Sequence, residues 1–244
     1  MLGKSQTKYI QSLGHKKVRD EEGVYIAEGP KIVGELLASP SAQILKVFAL
    51  QDWIKANNRL LSKAEIVEID EQDLTKISQL TTPNKVLALL KKPQAPVSFT
   101  LKNQVSLVLD TIQDPGNLGT IIRIADWFGI TQLVCSRDCA DAYNPKVVQS
   151  TMGSIARVQL LYTDLTDWLG AQKHVPVYAT VLDGEDISRA GRINEGLIII
   201  GNESKGISEI ILKCVDKKIT IPRKGKAESL NAAVATGIVL SHLV

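Results

Sequence analysis

Apolar positions along the chain keep two rhythms in alternation. Short β-branched and leucine-rich runs predict strands, and stretches with apolar residues every three or four positions predict helices between them. In the first half this gives a helix over Lys4–Gly14, with Tyr9, Ile10 and Leu13 on one side. A strand follows over Val24–Ala27, ending at Glu28-Gly29, and then a helix opened by Pro30. Proline suits a first helical position because the N–H it lacks would have no partner there. Strands over Ile44–Leu50, Glu65–Ile69 and Val86–Leu90 alternate with helices over Asp52–Leu61 and Glu71–Leu80, the second capped by Asp70. Such spacing predicts a small α/β sandwich.

Lys91-Lys-Pro-Gln-Ala-Pro96 has no periodicity and reads as the start of a linker that runs to about Asn103. The expected domains are therefore 1–92, a linker over 93–103, and 104–244. In the last of these, strands are expected over Val105–Leu109, Ile130–Cys135, Arg157–Leu161, Val175–Leu182 and Leu197–Ile200. Helices are expected over Leu118–Phe128, closed by Gly129, and over Lys146–Gly153, Asp164–Trp168 and Ile207–Lys213. Ile219–Ile221 then ends a strand, Arg223–Glu228 is a polar loop, and Ser229 caps a final apolar helix with Asn231 in its first turn.

Composition narrows the class without naming it. The 244 residues are 44% hydrophobic and 23% charged, which is ordinary for a globular chain. A net charge of +3 permits a nucleic-acid partner and does not demonstrate one. Lys4, Lys8, His15, Lys16, Lys17 and Arg19 crowd the N-terminus, where the plain reading is a solvated helix face. Three cysteines, Cys135, Cys139 and Cys214, are too few for a disulfide framework and suit a reducing compartment. With His15, His174 and His242 scattered, no zinc set is visible and no metal is expected. There is no signal-peptide core and no apolar run of spanning length, so a cytoplasmic protein is expected.

The chemistry concentrates at three strand ends: Asp114-Pro-Gly-Asn117 leading to Arg123, Gly201-Asn202-Glu203, and Ser229-Leu230-Asn231. In open α/β sheets ligands collect outside the carboxyl ends of the strands. The glycines make neither GxGxxG nor a Walker loop, and no GxSxG is present. Nicotinamide, P-loop and Ser-His-Asp readings fail on pattern. Taken singly, each residue has a plainer reading: Arg123 as a surface partner of Asp126, Asn117 as a helix cap, Glu203 as a turn carboxylate. Three such loops in one half of the chain favour a site.

DPGNLGTIIRIADWFG, LIIIGNESKGIS and ITIPRKGKAESLNAAVATGIVLSHL, in this order and spacing, resemble the three signature stretches of the SpoU–TrmH family of RNA ribose 2′-O-methyltransferases, within the SPOUT class. Val148–Ser154 followed by Arg157 resembles the family's segment between the first two signatures. The resemblance covers about Val105–Val244. More loosely, the first half is similar to the ribosomal-protein-like RNA-binding module of many members, through Lys4, Lys16, Lys17, Arg19 and Glu28-Gly29. Ser204 departs from the family's usual glycine.

The resemblance implies an α/β fold with a trefoil-knotted, mostly parallel C-terminal sheet, a homodimer, and S-adenosylmethionine as cofactor. It implies that Gly201, Asn202, Ile221 and Leu230 contact the cofactor, with Thr180 and Leu182 as weaker candidates. Arg123 is implied at the reacting 2′-hydroxyl, from its own subunit or across the dimer, with Asn117, Glu203, Ser229 and Asn231 positioning it, the nucleotide or the cofactor. A guanidinium stays protonated, so charge stabilisation is favoured over a role as base. The expected substrate is structured RNA, ribosomal favoured over transfer RNA. Two other classes stay open: an RNA-binding protein with an inactive methyltransferase half, and an α/β enzyme acting on a small molecule.

Overall fold

A computed structural model describes residues 2–61 and 64–244, and its internal packing divides them into two units. One runs up to Gln94 and takes in Asp141–Ala156; the other joins Ala95–Ala140 to Arg157–Val244. In chain order the elements before Gln94 are α1 (Lys4–Ser12), α2 (Lys16–Glu22), β1 (Val24–Glu28), α3 (Pro30–Ala38), β2 (Ile44–Ala49), α4 (Gln51–Asn57), β3 (Glu65–Glu68), α5 (Glu71–Ile77) and β4 (Val86–Lys91). After it come β5 (Val105–Leu109), α6 (Pro115–Trp127), β6 (Gln132–Ser136), α7 (Pro145–Thr151), β7 (Gln159–Thr163) and α8 (Leu165–Gly170). The chain closes with β8 (Val177–Asp186), β9 (Gly196–Ile200), α9 (Glu209–Leu212), β10 (Lys217–Thr220) and α10 (Ala232–Leu243).

In the first unit the sheet order is β1-β4-β2-β3, with β4 antiparallel to both its neighbours and β2 parallel to β3. All five residues of β1 are buried, as expected of a strand covered on both faces. Ile10, Leu13, Val24, Ile26, Phe48 and Leu87 fill one side. On the other, Tyr25 stacks at a tilt on Tyr143, with ring centroids 4.9 Å apart, just before α7. The stretch Asp141–Ala156 lies inside the expected 104–244 region, yet it packs with this unit, burying Ala142, Val147, Val148 and Ile155.

Helix α2 has no apolar stripe, and the hydrophobic rhythm did not predict it. Its hold is polar: Arg19, 1% exposed, donates to the Leu13 and Gly14 carbonyls at 2.8 Å each and to Asp141 Oδ2 at 2.6 Å. Gly23 at φ 63° closes the helix. This moves Arg19 from the expected solvated face into the structure. Lys16 and Lys17 remain on the surface, paired with Asp20 and Glu21.

The second unit is a six-stranded sheet in the order β10-β8-β9-β5-β6-β7, parallel at every pairing. Its core joins Val108, Val134, Val177, Ala179, Leu197 and Ile199. α10 packs against α6. Strand β8 outruns the expected end at Leu182. Its pairing with β10 jumps from Lys218↔Ala179 to Ile219↔Glu185, so the residues between leave the ladder and return. A Cβ at Gly184 would meet the backbone of Lys218 and Ile219 at 2.8–2.9 Å, so the return requires glycine.

The helix starts at two of the polar loops differ from expectation. α6 begins at Pro115, because Asp114 accepts from the Asn117 backbone N–H at 2.8 Å. Asn117 is therefore inside the first turn and is not the cap. α10 begins at Ala232 with Asn231 as cap, accepting from Ala233 and Val234 N–H at 3.0 and 3.2 Å, while Ser229 lies in the exposed loop before it. The first shift frees the Asn117 side chain to bond elsewhere.

Candidate functional site

Parallel pairing sets the carboxyl ends of β5, β9, β8 and β10 on one edge of the sheet. From the end of β5 the chain turns through Asp110, buried at 5% exposure, whose Oδ2 accepts from Ser208 N–H at 2.9 Å. Thr111 follows at φ 59°, a conformation rarely adopted by a β-branched residue. It is held from every side. Its N–H donates to Ser136 Oγ at 2.9 Å, its hydroxyl to Asp110 Oδ1 at 3.0 Å, and its carbonyl accepts from Asn202 Nδ2 at 2.9 Å. Below this turn Cys139 Sγ accepts from Ile112 N–H and donates to the Leu109 carbonyl, both at 3.3 Å. A hydrogen bond from Cys135 draws the Cys139 thiol down to about 7. Asp110 and Thr111 were not among the expected site residues; a carboxylate directly after a buried strand was the available signal.

The three polar loops meet through one amide. Asn117 Nδ2 donates to Glu203 Oε1, and Asn117 Oδ1 accepts from Asn231 Nδ2 at 2.8 Å. Asn231 is at the same time the cap of α10, so its two amide atoms tie that helix start to α6. Asn117, Glu203 and Asn231 are thus a bonded set. Ser229 stands outside it, exposed in the loop.

Arg123 also stands outside it. It is exposed on α6, and among the described residues it makes no ion pair or hydrogen bond. Asp126, its plain surface partner by sequence, is instead bound by Arg157, with Nη2 at 2.8 Å and Nε at 2.9 Å. Six residues separate Arg123 from Asn117, which puts them roughly a third of a turn apart around the helix.

Of the residues expected at the cofactor, Gly201 is demanded by its own loop. A Cβ there would lie 2.5 Å from the Gly206 carbonyl carbon, where Asn202 and Gly206 exchange backbone hydrogen bonds at 2.9 and 3.0 Å. The Asn202 side chain is spent as a brace, donating to the Thr111 carbonyl and accepting from Ser204 and Lys205 N–H at 2.9 and 3.1 Å. Thr180 donates its hydroxyl to the Ile199 carbonyl at 2.8 Å. Three apolar side chains remain presented at these strand ends: Leu182, 74% exposed, Leu230, 44% exposed, and half-buried Ile221.

Among the described residues no group of three or more His, Cys, Asp and Glu gathers in a way that could hold a metal ion, and no helix is long and apolar enough to cross a membrane.

Comparison with known proteins agrees with this arrangement. Residues 104–241 match the model of the SpoU rRNA methylase family, and residues 4–88 match that of an MRM3-like substrate binding domain. A relative from Bacillus subtilis, the 23S rRNA (guanosine(2553)-2′-O)-methyltransferase RlmP, is 31% identical, with the match covering 96% of this chain and 93% of that one. A TrmH-family structure from Porphyromonas gingivalis superposes with a TM-score of 0.88 at 36% identity, covering 99% and 98% of the two chains. An AdoMet-bound rRNA methyltransferase from Sinorhizobium meliloti gives 0.85 at 27% identity, covering 99% and 95%. The matched family model, the near full-length relative and the shared fold have one reading: the chain belongs to the SpoU rRNA methylase family.

Proposed function

We propose that this protein methylates a ribose 2′-hydroxyl in ribosomal RNA, using S-adenosylmethionine. The observation that carries the reading is the bonded set Asn117–Glu203–Asn231 at the carboxyl edge of a parallel sheet, with exposed Arg123 on the same helix as Asn117. The cofactor's aromatic and aliphatic parts suit the apolar surface of Leu182, Ile221 and Leu230, and Gly201 allows close backbone approach. Thr180 and Asn202 shape these loops rather than reach outward, since their polar atoms are already used. When bound, the cofactor supplies a methyl group activated by a sulfonium.

The chain's own work is alignment and charge control. Holding a 2′-oxygen in line with the methyl removes most of the entropic cost of transfer. Arg123 binds the adjacent phosphate and stabilises negative charge developing on that oxygen, acting as a donor and not as a base, while the hydroxyl proton passes to solvent water. Its offset from Asn117 around α6 favours service to the site of a partner subunit in a homodimer. Glu203, fixed by Asn117, and Ser229, free in its loop, position the nucleotide.

The first unit would select the RNA, with the chain divided by function into 1–92, a linker over 93–103 and 104–244, and the protein would act in the cytoplasm. The family's trefoil knot is the proposed path of the C-terminus. Its support is the anchoring of the last residues: Ile193 N–H donates to the Leu243 carbonyl at 2.7 Å, and Arg192 to that of Val244 at 2.6 Å.

The test uses the full chain, because cutting near residue 100 would strip the cover from Val147 and Val148. Labelled cofactor is incubated with in vitro transcribed 23S ribosomal RNA and, separately, with transfer RNA. Ribose label in the ribosomal transcript is expected. Cofactor binding without transfer to either RNA would favour the reading of an RNA-binding protein with an inactive half. Transfer to transfer RNA alone would overturn the substrate.

A further inference from the structure

Between β10 and Asn231 the chain carries Arg223, Lys224 and Lys226 within four residues, against one carboxylate, Glu228. The whole protein has a net charge of only +3, so this loop concentrates charge. Every residue from Pro222 to Asn231 is exposed. Among the described residues none of the three cations joins an ion pair; Arg223 Nη1 makes one bond, to the Ala227 carbonyl at 3.2 Å, which folds the loop on itself. Lys205, in the strand-end loop that also holds Glu203, is exposed and likewise free of ion pairs.

Several cations elsewhere are ion-paired instead. Lys16, Lys17, Lys46, Lys85 and Lys92 each face a carboxylate within 4 Å. The loop's anchorage matters as much as its charge. At its start Thr220 donates to the Leu182 carbonyl at 3.3 Å, and at its end Asn231 is bonded to Asn117. Cations held beside the bonded set, without partners and with no large apolar residue among them, suit a polyanion running past the site.

Resting on the proposed RNA methyl transfer, we infer that Arg223, Lys224 and Lys226 form a phosphate-gripping arm, which holds the RNA backbone beside the target nucleotide. Each phosphate gripped releases condensed counterions, so the arm contributes to the salt dependence of binding.

The test compares the full chain with a triple variant, Arg223→Gln, Lys224→Gln, Lys226→Gln, and a control with equal charge loss from exposed lysines that precede strands of the same sheet, Lys102→Gln, Lys173→Gln, Lys213→Gln. Affinity for in vitro transcribed 23S ribosomal RNA is measured across a salt series, and cofactor affinity by calorimetry. The arm variant should flatten the slope of log K against log salt by roughly two, from three contacts at about 0.7 each. Its cofactor affinity should match that of the unaltered chain, and the control should keep most of the slope. An unchanged slope in the arm variant overturns the inference, as does an equal flattening in the control. A slope retained while cofactor affinity falls would assign the loop to the cofactor instead. If the unaltered chain transfers methyl groups while any of these results appears, only the arm is lost. If it neither transfers nor binds the transcript, the proposed function falls first and the arm with it.

Discussion

Arg19 and Arg123 are both arginines on helices of mixed polarity, one in each unit, and their surroundings separate them completely. Arg19 is 1% exposed, and its guanidinium is consumed by two carbonyls and Asp141. Arg123 is exposed and makes no bond among the described residues. The contrast extends to their neighbours. In the first unit Glu28 is buried against Ser78 and Gln79, and Lys16, Lys17 and Lys85 are paired. In the second, Arg223, Lys224 and Lys226 are left open beside the bonded asparagines. A buried charge must be paired to be tolerated, so the pairing of Arg19 with Asp141 reports folding. An exposed cation without a partner costs nothing to keep and can be used by a ligand. Of the basic residues crowding the N-terminus, Arg19 is therefore evidence of folding and not of RNA contact, whereas Lys4 and Lys8 are as open as the cationic loop near the site.

The contrast breaks most visibly at Arg19. Arg19→Ala leaves Asp141 nearly buried and uncompensated, together with two carbonyls, and losing one partner of a buried pair costs about 3–5 kcal/mol. Thermal unfolding should fall by on the order of 10 °C. At a temperature where the variant is still folded, the salt slope of RNA binding should be that of the unaltered chain. A stable variant with a flatter slope would return Arg19 to the RNA-contacting surface.

Arg123 should behave the opposite way. Arg123→Ala is expected to leave the unfolding temperature and cofactor affinity in place while single-turnover methyl transfer at saturating RNA drops by about 10²–10³. Arg123→Lys should recover little, because a point charge does not reproduce the planar fork. A near-normal rate for Arg123→Ala would remove it from the chemistry. It could not then be restored as the partner of Asp126, because Arg157 holds that carboxylate.

Much of this arrangement was legible in the sequence, and the gaps have a common cause. Strands such as Leu197–Ile200 announce themselves because burial on both faces demands continuous apolar residues. The polar loops after them stood out by contrast, and three of them do meet, through Asn117, Glu203 and Asn231. What could not be read depends on distant partners. Helix α2 has no stripe, and its anchor, Asp141, lies 122 residues further along. The caps of α6 and α10, expected at Asn117 and Ser229, are Asp114 and Asn231. The choice goes with the side-chain bond between the two asparagines. The excursion of β8 is fixed by the approach of β10 to Gly184, and nothing local signals it.

The smallest expected effect belongs to Glu28 and tests the claim that first-unit charges serve the fold. Burial holds its carboxyl above the usual range, against the lowering influence of hydrogen bonds from Ser78 and the Gln79 N–H. The folded protein therefore keeps this proton to a higher pH than the unfolded chain does. Between the two values the folded state binds more protons, so this group's contribution to stability falls as pH rises. Below the unfolded value both states are protonated and nothing is lost; above the folded value the loss is complete. Other carboxylates work in reverse: Lys76 holds Asp73 below its ordinary value, so that pair gains stability over a lower pH range. Glu28→Gln isolates the buried group, because glutamine keeps an oxygen for the Gln79 N–H and cannot ionise. Measured from pH 4 to pH 7, the unfolding temperature of the variant should rise relative to the unaltered chain as pH increases, at about 2–4 °C per kcal/mol for a chain of this size. Parallel curves would mean that Glu28 ionises freely in the folded state. The carboxylate would then belong with the open charges of the second unit, and the contrast between the units would fail at this position.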